Sequence, residues 1–281
     1  MTKPFKVALV QVTAGPDPSA NASANRAYLD KSAAAGAAFV LFPEVCNMIE
    51  PDRDACRRKA RLDLDDQTVG ILQDGAREHG VWVLIGSVVV RSETMPGKLA
   101  NRSFLINDQG EIVATYDKMH LFDVDVGSDE VYRESDTYQA GSGITLASTP
   151  WGPLGMTICY DLRFPHLYRD LAKAGAVMLT VPSAFTRPTG EAHWHALLRA
   201  RAIETGAFVL APAQTGEHGG GRKTYGHSVV INPWGVVLAD GDEEVDVTYV
   251  VIDPSEAASA RACIPALKHD REYTIIYTNR D

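Results

Sequence analysis

The sequence predicts an α/β fold in a single domain of 281 residues, and three observations carry that expectation. Short β-branched or apolar runs alternate with helix-like stretches along most of the chain, the order that builds sheets flanked by helices. One run, Val81 to Val90, is apolar almost without interruption, as a strand covered on both faces must be. No internal repeat, linker or low-complexity segment divides the chain, and its length suits one large domain. The element order fits two sheets with helices outside, although periodicity alone leaves a doubly wound single sheet open.

The elements follow in order. Phe5 to Val12 is a β-branched run closed by Gly15-Pro16-Asp17-Pro18, hence a strand and a turn. Ser19 to Ala35 is alanine-rich and ends at Gly36, a helix with its C-cap glycine, and Ala38 to Phe42 is the next strand. Arg57-Arg58-Lys59 is read as the solvated face of a helix. A helix from about Asp66 to Glu78, closed by Gly80, precedes the Val81 to Val90 strand. Beyond the loop Arg91 to Leu99, the runs Asn101 to Asn107 and Glu111 to Asp117 flank Asp108-Gln109-Gly110 as a hairpin. Met119 to Ala140 has no clear period and carries Asp123, Asp125, Asp129, Glu130, Tyr132, Glu134 and Tyr138; a loop this long in a compact domain is usually functional. Helices are expected at Phe164 to Ala174 and Glu191 to Thr205, with strands at Ala176 to Ser183 and Ala207 to Ala213. Gly219-Gly220-Gly221 marks a tight or flexible loop, Gly226 to Ile231 a strand, Asn232 to Gly235 a turn, and Val236 to Ala239 and Val247 to Ile252 further strands. Ser255 is expected to N-cap a last helix reaching Cys263, before an irregular tail with strand character at Tyr273 to Tyr277.

Composition excludes several function classes. Hydrophobic residues at 45% and charged residues at 22% are ordinary for a globular protein. A net charge of −9 with scattered basic residues argues against nucleic acid as a partner. No apolar run approaches the roughly 20 residues that span a bilayer, so no membrane partner is expected. Four cysteines without a Cys-x-x-Cys pair, and no signal-like apolar core at the start, suggest reduced thiols in the cytoplasm.

Three stretches end an apolar run on a reactive group. Leu154 to Ile158 stops at Cys159-Tyr160-Asp161 before a helix, the signature of a nucleophile at a strand-to-helix turn. Phe39 to Pro43 stops at Glu44, and Ile112 to Asp117 stops at Lys118. Singly, each has an ordinary reading: an inert buried thiol, a strand-end charge, a solvated hairpin end. Jointly they form a catalytic set.

Together these stretches resemble the carbon–nitrogen hydrolase (nitrilase) superfamily, whose marks are a Glu after Phe-Pro, a Lys before a short polar loop, and a Cys in a Cys-Tyr-Asp context. The run Lys118 to Asp125 followed by Glu134-Ser135, with Tyr160 to Pro165, Ser183-Ala184-Phe185 and Tyr225 to Ser228, is similar to the Nit-type amidase branch. The resemblance spans about Val7 to Tyr273. It implies a four-layer αββα sandwich, a homodimer or higher homo-oligomer joined through helices next to the Cys-bearing strand, and a place for Glu134 beside Lys118.

An amide needs a nucleophile, a proton shuttle and an oxyanion donor. On this reading Cys159 attacks as thiolate. Glu44 carries its proton to the leaving amine and then activates water, and Lys118 stabilises the oxyanion beside the backbone N–H of Tyr160. Glu134 holds Lys118. Arg163, four residues past the thiol, suggests a carboxylate-bearing substrate, since guanidinium binds carboxylate through a two-point fork, with pinning of the loop as its plainer alternative. The resemblance places Arg163, Phe185 and Thr189 on the acyl pocket. No metal or cofactor is expected: His193 and His195 point to different helix faces, no phosphate-cradling glycine motif is present, and His227 is read as a core or interface histidine. Relatives commonly carry Glu at the position of His195.

The expected substrate is a small carboxylate-bearing amide, either deaminated glutathione or the ω-amide of a keto acid. Alternatives are an N-carbamoyl amino-acid hydrolase, a nitrilase, or an inactive relative that serves as a scaffold.

Overall fold

The computed structural model describes residues 3–126 and 130–278. Strand β1 (Phe5–Val10) leads to helix α1 (Pro18–Ala34), where the Asp17 carboxylate accepts from the N–H groups of Ser19 and Ala20 and proline occupies the first turn. β2 (Phe39–Leu41) and the short α2 (Arg53–Lys59) precede α3 (Gln67–His79), capped by Asp66 and ended by Gly80 in the left-handed conformation. β3 (Trp82–Arg91), β4 (Leu99–Ile106) and β5 (Ile112–Asp117) form a meander. Next come a separate hairpin, β6 (Asp123–Val126) with β7 (Glu130–Arg133), and then β8 (Thr145–Ala147) and β9 (Leu154–Met156). Helix α4 (Pro165–Lys173), β10 (Met178–Thr180), helix α5 (Arg187–Thr205) and β11 (Phe208–Ala211) continue the alternation. A small ribbon of β12 (Thr215–Glu217) and β13 (Lys223–Tyr225) precedes β14 (Val229–Ile231), β15 (Val237–Asp240), β16 (Val247–Ile252) and helix α6 (Ser255–Cys263).

The strands build two six-stranded sheets, ordered β16-β1-β2-β3-β4-β5 and β15-β14-β11-β10-β9-β8. Each sheet has three parallel strands at its centre and antiparallel neighbours outside: β1, β2 and β3 in the first, β9, β10 and β11 in the second. Period-2 alternation then sorts the side chains. Val7, Leu9, Phe39 and Leu41 face the second sheet and share a core with Met156 and Met178, whereas Ala8, Val10, Val40 and Phe42 face α1 and α3 with Leu29 and Leu72. On the far side, α4 and α5 bury Leu167, Leu171, Trp194 and Leu198 against the second sheet. The layers are therefore helix, sheet, sheet, helix, and the doubly wound alternative is excluded.

A shift of register between Ile85 and Val88 falls where the two sheets approach closely. A Cβ at Gly86 would stand 2.0 Å from the Phe42 carbonyl oxygen and 2.5 Å from Pro182 Cβ, so only glycine lets β3 pass beneath both strand ends. The next residue holds the segment after β2, with the Ser87 hydroxyl accepting from Val45 N–H at 2.8 Å and its carbonyl from Cys46 N–H at 3.0 Å.

Three expectations need correction. Met119 to Ala140 is not wholly irregular, since β6 and β7 pair within it; their alternating Asp-Val-Asp-Val pattern is too short to separate from a loop by period. Asp129 lies outside the described residues. Ser255 opens the last helix rather than capping it: its N–H is the donor, at 3.0 Å to the Asp253 carboxylate. Tyr273 to Tyr277 forms no strand and stays exposed.

Gly86→Ala is expected to destabilise the protein by about 1–3 kcal/mol through overpacking. Urea unfolding reads this, and a midpoint equal to wild type would contradict the close approach.

Candidate active site

The site forms where strand ends of both sheets converge. Glu44 lies three residues past β2, Lys118 directly follows β5, and Cys159 lies three residues past β9. Binding at the carboxyl ends of parallel strands is the general rule for α/β sheets.

Glu44 is only 4% exposed, yet every direction around its carboxylate is answered. Oε1 accepts from Lys118 Nζ at 2.8 Å and Asn101 Nδ2 at 2.9 Å, and Oε2 accepts from Ala184 N–H at 2.8 Å. Its own carbonyl accepts from Gln214 Nε2 at 2.9 Å. Burial opposes the charge, but the Lys118 ammonium, the Cys159 thiol and the Arg222 guanidinium outweigh it and hold the carboxyl below the ordinary glutamate value.

Lys118 is equally buried and donates three ways: to Glu44, and to both oxygens of Glu134 at 3.1 and 2.9 Å. Burial works against its charge, yet the two carboxylates raise it well above the usual lysine range. Glu134 is anchored in turn by Phe122 N–H at 2.6 Å.

Cys159 occupies the left-handed region at φ 48°, a strained conformation for a residue with a Cβ. Its N–H donates to the Pro182 carbonyl at 3.0 Å, which ties the turn to the end of β10. The strain is held by Asp161, fully buried two residues on. One carboxylate oxygen accepts from Ile158 N–H at 2.9 Å and Tyr116 Oη at 2.7 Å, and the other from His120 N–H at 3.1 Å. Because Tyr116 and His120 flank Lys118, this one carboxylate fixes the amine and the thiol relative to each other. Burial and the facing Glu44 carboxylate push the thiol up despite Lys118. Both shifts favour a resting pair of thiol and carboxylate, in keeping with the expectation that Glu44 receives the proton of Cys159. No hydrogen bond within the described residues takes the Tyr160 N–H, which lies in the first turn of the short 3₁₀ helix Cys159–Arg163.

These groups line a cleft of about 320 Å³, together with Phe185 and Thr189. Arg163 stands apart. Its guanidinium is not on the wall but 5.4 Å from the Phe185 ring centroid, with both terminal nitrogens 3.4 Å from His193 Nδ1. Sequence reading missed Asn101, Ala184, Asp161 and Arg222. Asp161 had a signal, since an acid directly after a nucleophile turn must find donors once buried; the others gave none, because their roles depend on contacts far along the chain. Outside the cleft, His195 Nε2 and His227 Nδ1 lie 2.8 and 2.9 Å from the two Asp240 oxygens, while His193 is turned to Arg163. This explains His195 as a hydrogen-bond partner of Asp240.

A thiol, a carboxylate and an amine gathered at the strand ends of two layered sheets is the arrangement of a cysteine-dependent hydrolase. The chain belongs to the carbon-nitrogen hydrolase family, whose sequence model matches residues 6–262. It is 40% identical to the deaminated glutathione amidase of Yersinia enterocolitica over 96% of this chain and 94% of that protein. In structure it resembles the NitFhit protein of C. elegans, with a TM-score of 0.90 and 35% identity over 96% of this chain and 66% of that one. The Saccharomyces cerevisiae member of branch 10 of the nitrilase superfamily superposes with a TM-score of 0.83 at 29% identity, over 94% and 95% of the two chains. Among the described residues no helix is long and apolar enough to cross a membrane.

A base must be ionised to act, and lowering its pKa keeps it ionised further into acid. The acidic limb of kcat/KM is therefore expected below about pH 4.5, the ordinary glutamate value, with full activity above it. A pH–rate profile whose acidic limb centres above 6 would contradict the charge environment of Glu44.

Proposed function

We propose that this protein is an amidase that hydrolyses a small carboxylate-bearing amide of the deaminated-glutathione type through a cysteine thioester. The observation that carries this is the Glu44 carboxylate, in contact with both the Lys118 ammonium and the Cys159 thiol, in a chain 40% identical to a deaminated glutathione amidase. Glu44 takes the thiol proton as sulfur bonds to the amide carbon. The oxyanion is met by Lys118 and the Tyr160 N–H, and Glu44 returns the proton to nitrogen as the C–N bond breaks. Water, deprotonated by Glu44, then displaces the thiolate, and the acid product leaves with the proton restored to sulfur. Glu134 keeps Lys118 aimed. No step calls on a cofactor.

Phe185 and Thr189 serve as walls of the acyl pocket. Arg163 is assigned to the carboxylate at the acyl end: long contacts to His193 and the Phe185 ring leave its half-buried guanidinium free to turn. The whole chain acts as one catalytic domain in the cytoplasm, in keeping with its four free thiols.

Release of amine from deaminated glutathione and of ammonia from α-ketoglutaramate is the direct test. Cys159→Ser is expected to abolish both, and Glu44→Gln to lose acylation and deacylation while still folding. Normal single-turnover acylation by Glu44→Gln would remove the base from the scheme. Arg163→Lys is expected to lower kcat/KM by about 1–3 kcal/mol in equivalent free energy for a keto-acid amide and hardly at all for its decarboxylated analogue.

A homodimer is part of the same reading. Ile203 on α5 is 56% exposed and Trp234 beside it 58%, apolar surface next to the Cys-bearing side of the sandwich. Sedimentation velocity on the full chain is expected to show twice the monomer mass, and Ile203→Asp to shift it toward monomer; a monomeric wild type would refute this.

A further inference from the structure

We infer that Arg222 reads a carboxylate on the leaving group, so that the site selects amides whose departing amine is a short peptide acid over amides that release ammonia. This rests on the amidase reading above and deepens it.

Four cations line the cleft: Arg53, Lys118, Arg133 and Arg222. Lys118 lies between Glu44 and Glu134, Arg53 pairs with Asp136 at 2.9 Å, and Arg133 pairs with Asp125 at 2.8 Å. Arg222 alone has no carboxylate partner among the described residues. Its Nη2 donates to the Ala184 carbonyl at 2.8 Å, its plane lies 5.9 Å from the Tyr132 ring, and its Nε is buried with no acceptor. A half-buried guanidinium on the wall of a substrate cleft, with no carboxylate partner among the described residues, is a site for an anion.

The backbone holds this group in place. Arg222 follows Gly219-Gly220-Gly221, where Gly220 has φ 74° and a Cβ would stand 2.8 Å from Pro51. The Arg222 carbonyl accepts from His218 N–H at 2.8 Å, and the buried His218 ring bridges Ala14 and Thr224. The glycine run therefore has a use: it is a turn tight enough to set an arginine at the cleft edge.

Position identifies which end of the substrate it meets. Ala184 gives its N–H to Glu44 and its carbonyl to Arg222, so the catalytic carboxylate and the guanidinium are joined through one residue. Two such hydrogen bonds and the span of a single residue keep them within about 9 Å. Glu44 is the group that protonates the leaving nitrogen, so the leaving group starts beside it. An extended dipeptide reaches roughly 7 Å, which carries its terminal carboxylate to the Arg222 fork. Ammonia has nothing to offer there.

The test compares wild type, Arg222→Gln and Arg222→Lys on three amides at neutral pH: deaminated glutathione, the same compound with its terminal carboxylate made a carboxamide, and α-ketoglutaramate. Wild type is expected to prefer the carboxylate over the carboxamide by roughly 10- to 100-fold in kcat/KM. Arg222→Gln is expected to erase that preference mainly through KM, with Arg222→Lys between. The loss on the carboxamide and on α-ketoglutaramate should be small and shared, because removing this charge also acts on Glu44. An equal loss on all three substrates, or a wild type indifferent to the terminal carboxylate, overturns the inference while leaving the amidase reading intact. Failure of wild type to hydrolyse any of the three overturns both. The wild-type comparison needs no variant, so a poorly folding Arg222→Gln does not block the test.

Discussion

The site depends on one constraint: Glu44 must be buried and still ionised. Removing a carboxylate from water costs several kcal/mol even after the protein relaxes, and a lone buried acid would simply stay protonated and lose its basicity. Here the charge is kept by a cation at 2.8 Å, an amide and a backbone N–H on the same two oxygens. Those partners come from β4, the end of β5 and the end of β10, so the electrostatic condition is met only when both sheets are in place.

The same arrangement explains how one lysine can serve two purposes. At rest the Lys118 ammonium is saturated by Glu44 and Glu134, with no donor left for a substrate. On the proposed mechanism, Glu44 becomes neutral and a weaker acceptor on taking the thiol proton, and the negative charge moves through sulfur onto the substrate oxygen. That transfer would draw Lys118 toward the oxygen, while Glu134, anchored to Phe122, would keep it from swinging away. The number of charges in the cleft is conserved through the step, which is the condition under which a preorganised low-dielectric site is most effective. Lys118 thus needs two acids around it: one that changes charge and one that does not.

What the sequence made legible is what depends on local chemistry. Strand ends that stop on Glu44, Lys118 and Cys159 are visible because apolar period-2 runs are broken by reactive groups, and the helices of the outer layers are visible through Asp66 and Gly80. The pairing of the sheets was not legible from periodicity, since Val7 and Ala8 are both apolar although they face opposite layers. Arg222 was hidden for a related reason. Its proposed role rests on having no carboxylate partner among the described residues, which no local pattern can display, whereas Arg163 drew notice through closeness in sequence to the thiol and carries its guanidinium over the Phe185 ring.

The turn at Cys159 shows how the fold and the chemistry constrain each other. A left-handed cysteine is unfavourable by itself, and of the common residues glycine alone would escape the cost. The conformation persists because Asp161 bonds the turn on one side and the segment around Lys118 on the other, while Pro182 takes the Cys159 N–H. The conformation leaves the Tyr160 N–H without a partner among the described residues and sets the sulfur toward Glu44. Asp161 does not line the cleft, yet through this carboxylate the position of the amine in one sheet is made to depend on the position of the thiol in the other.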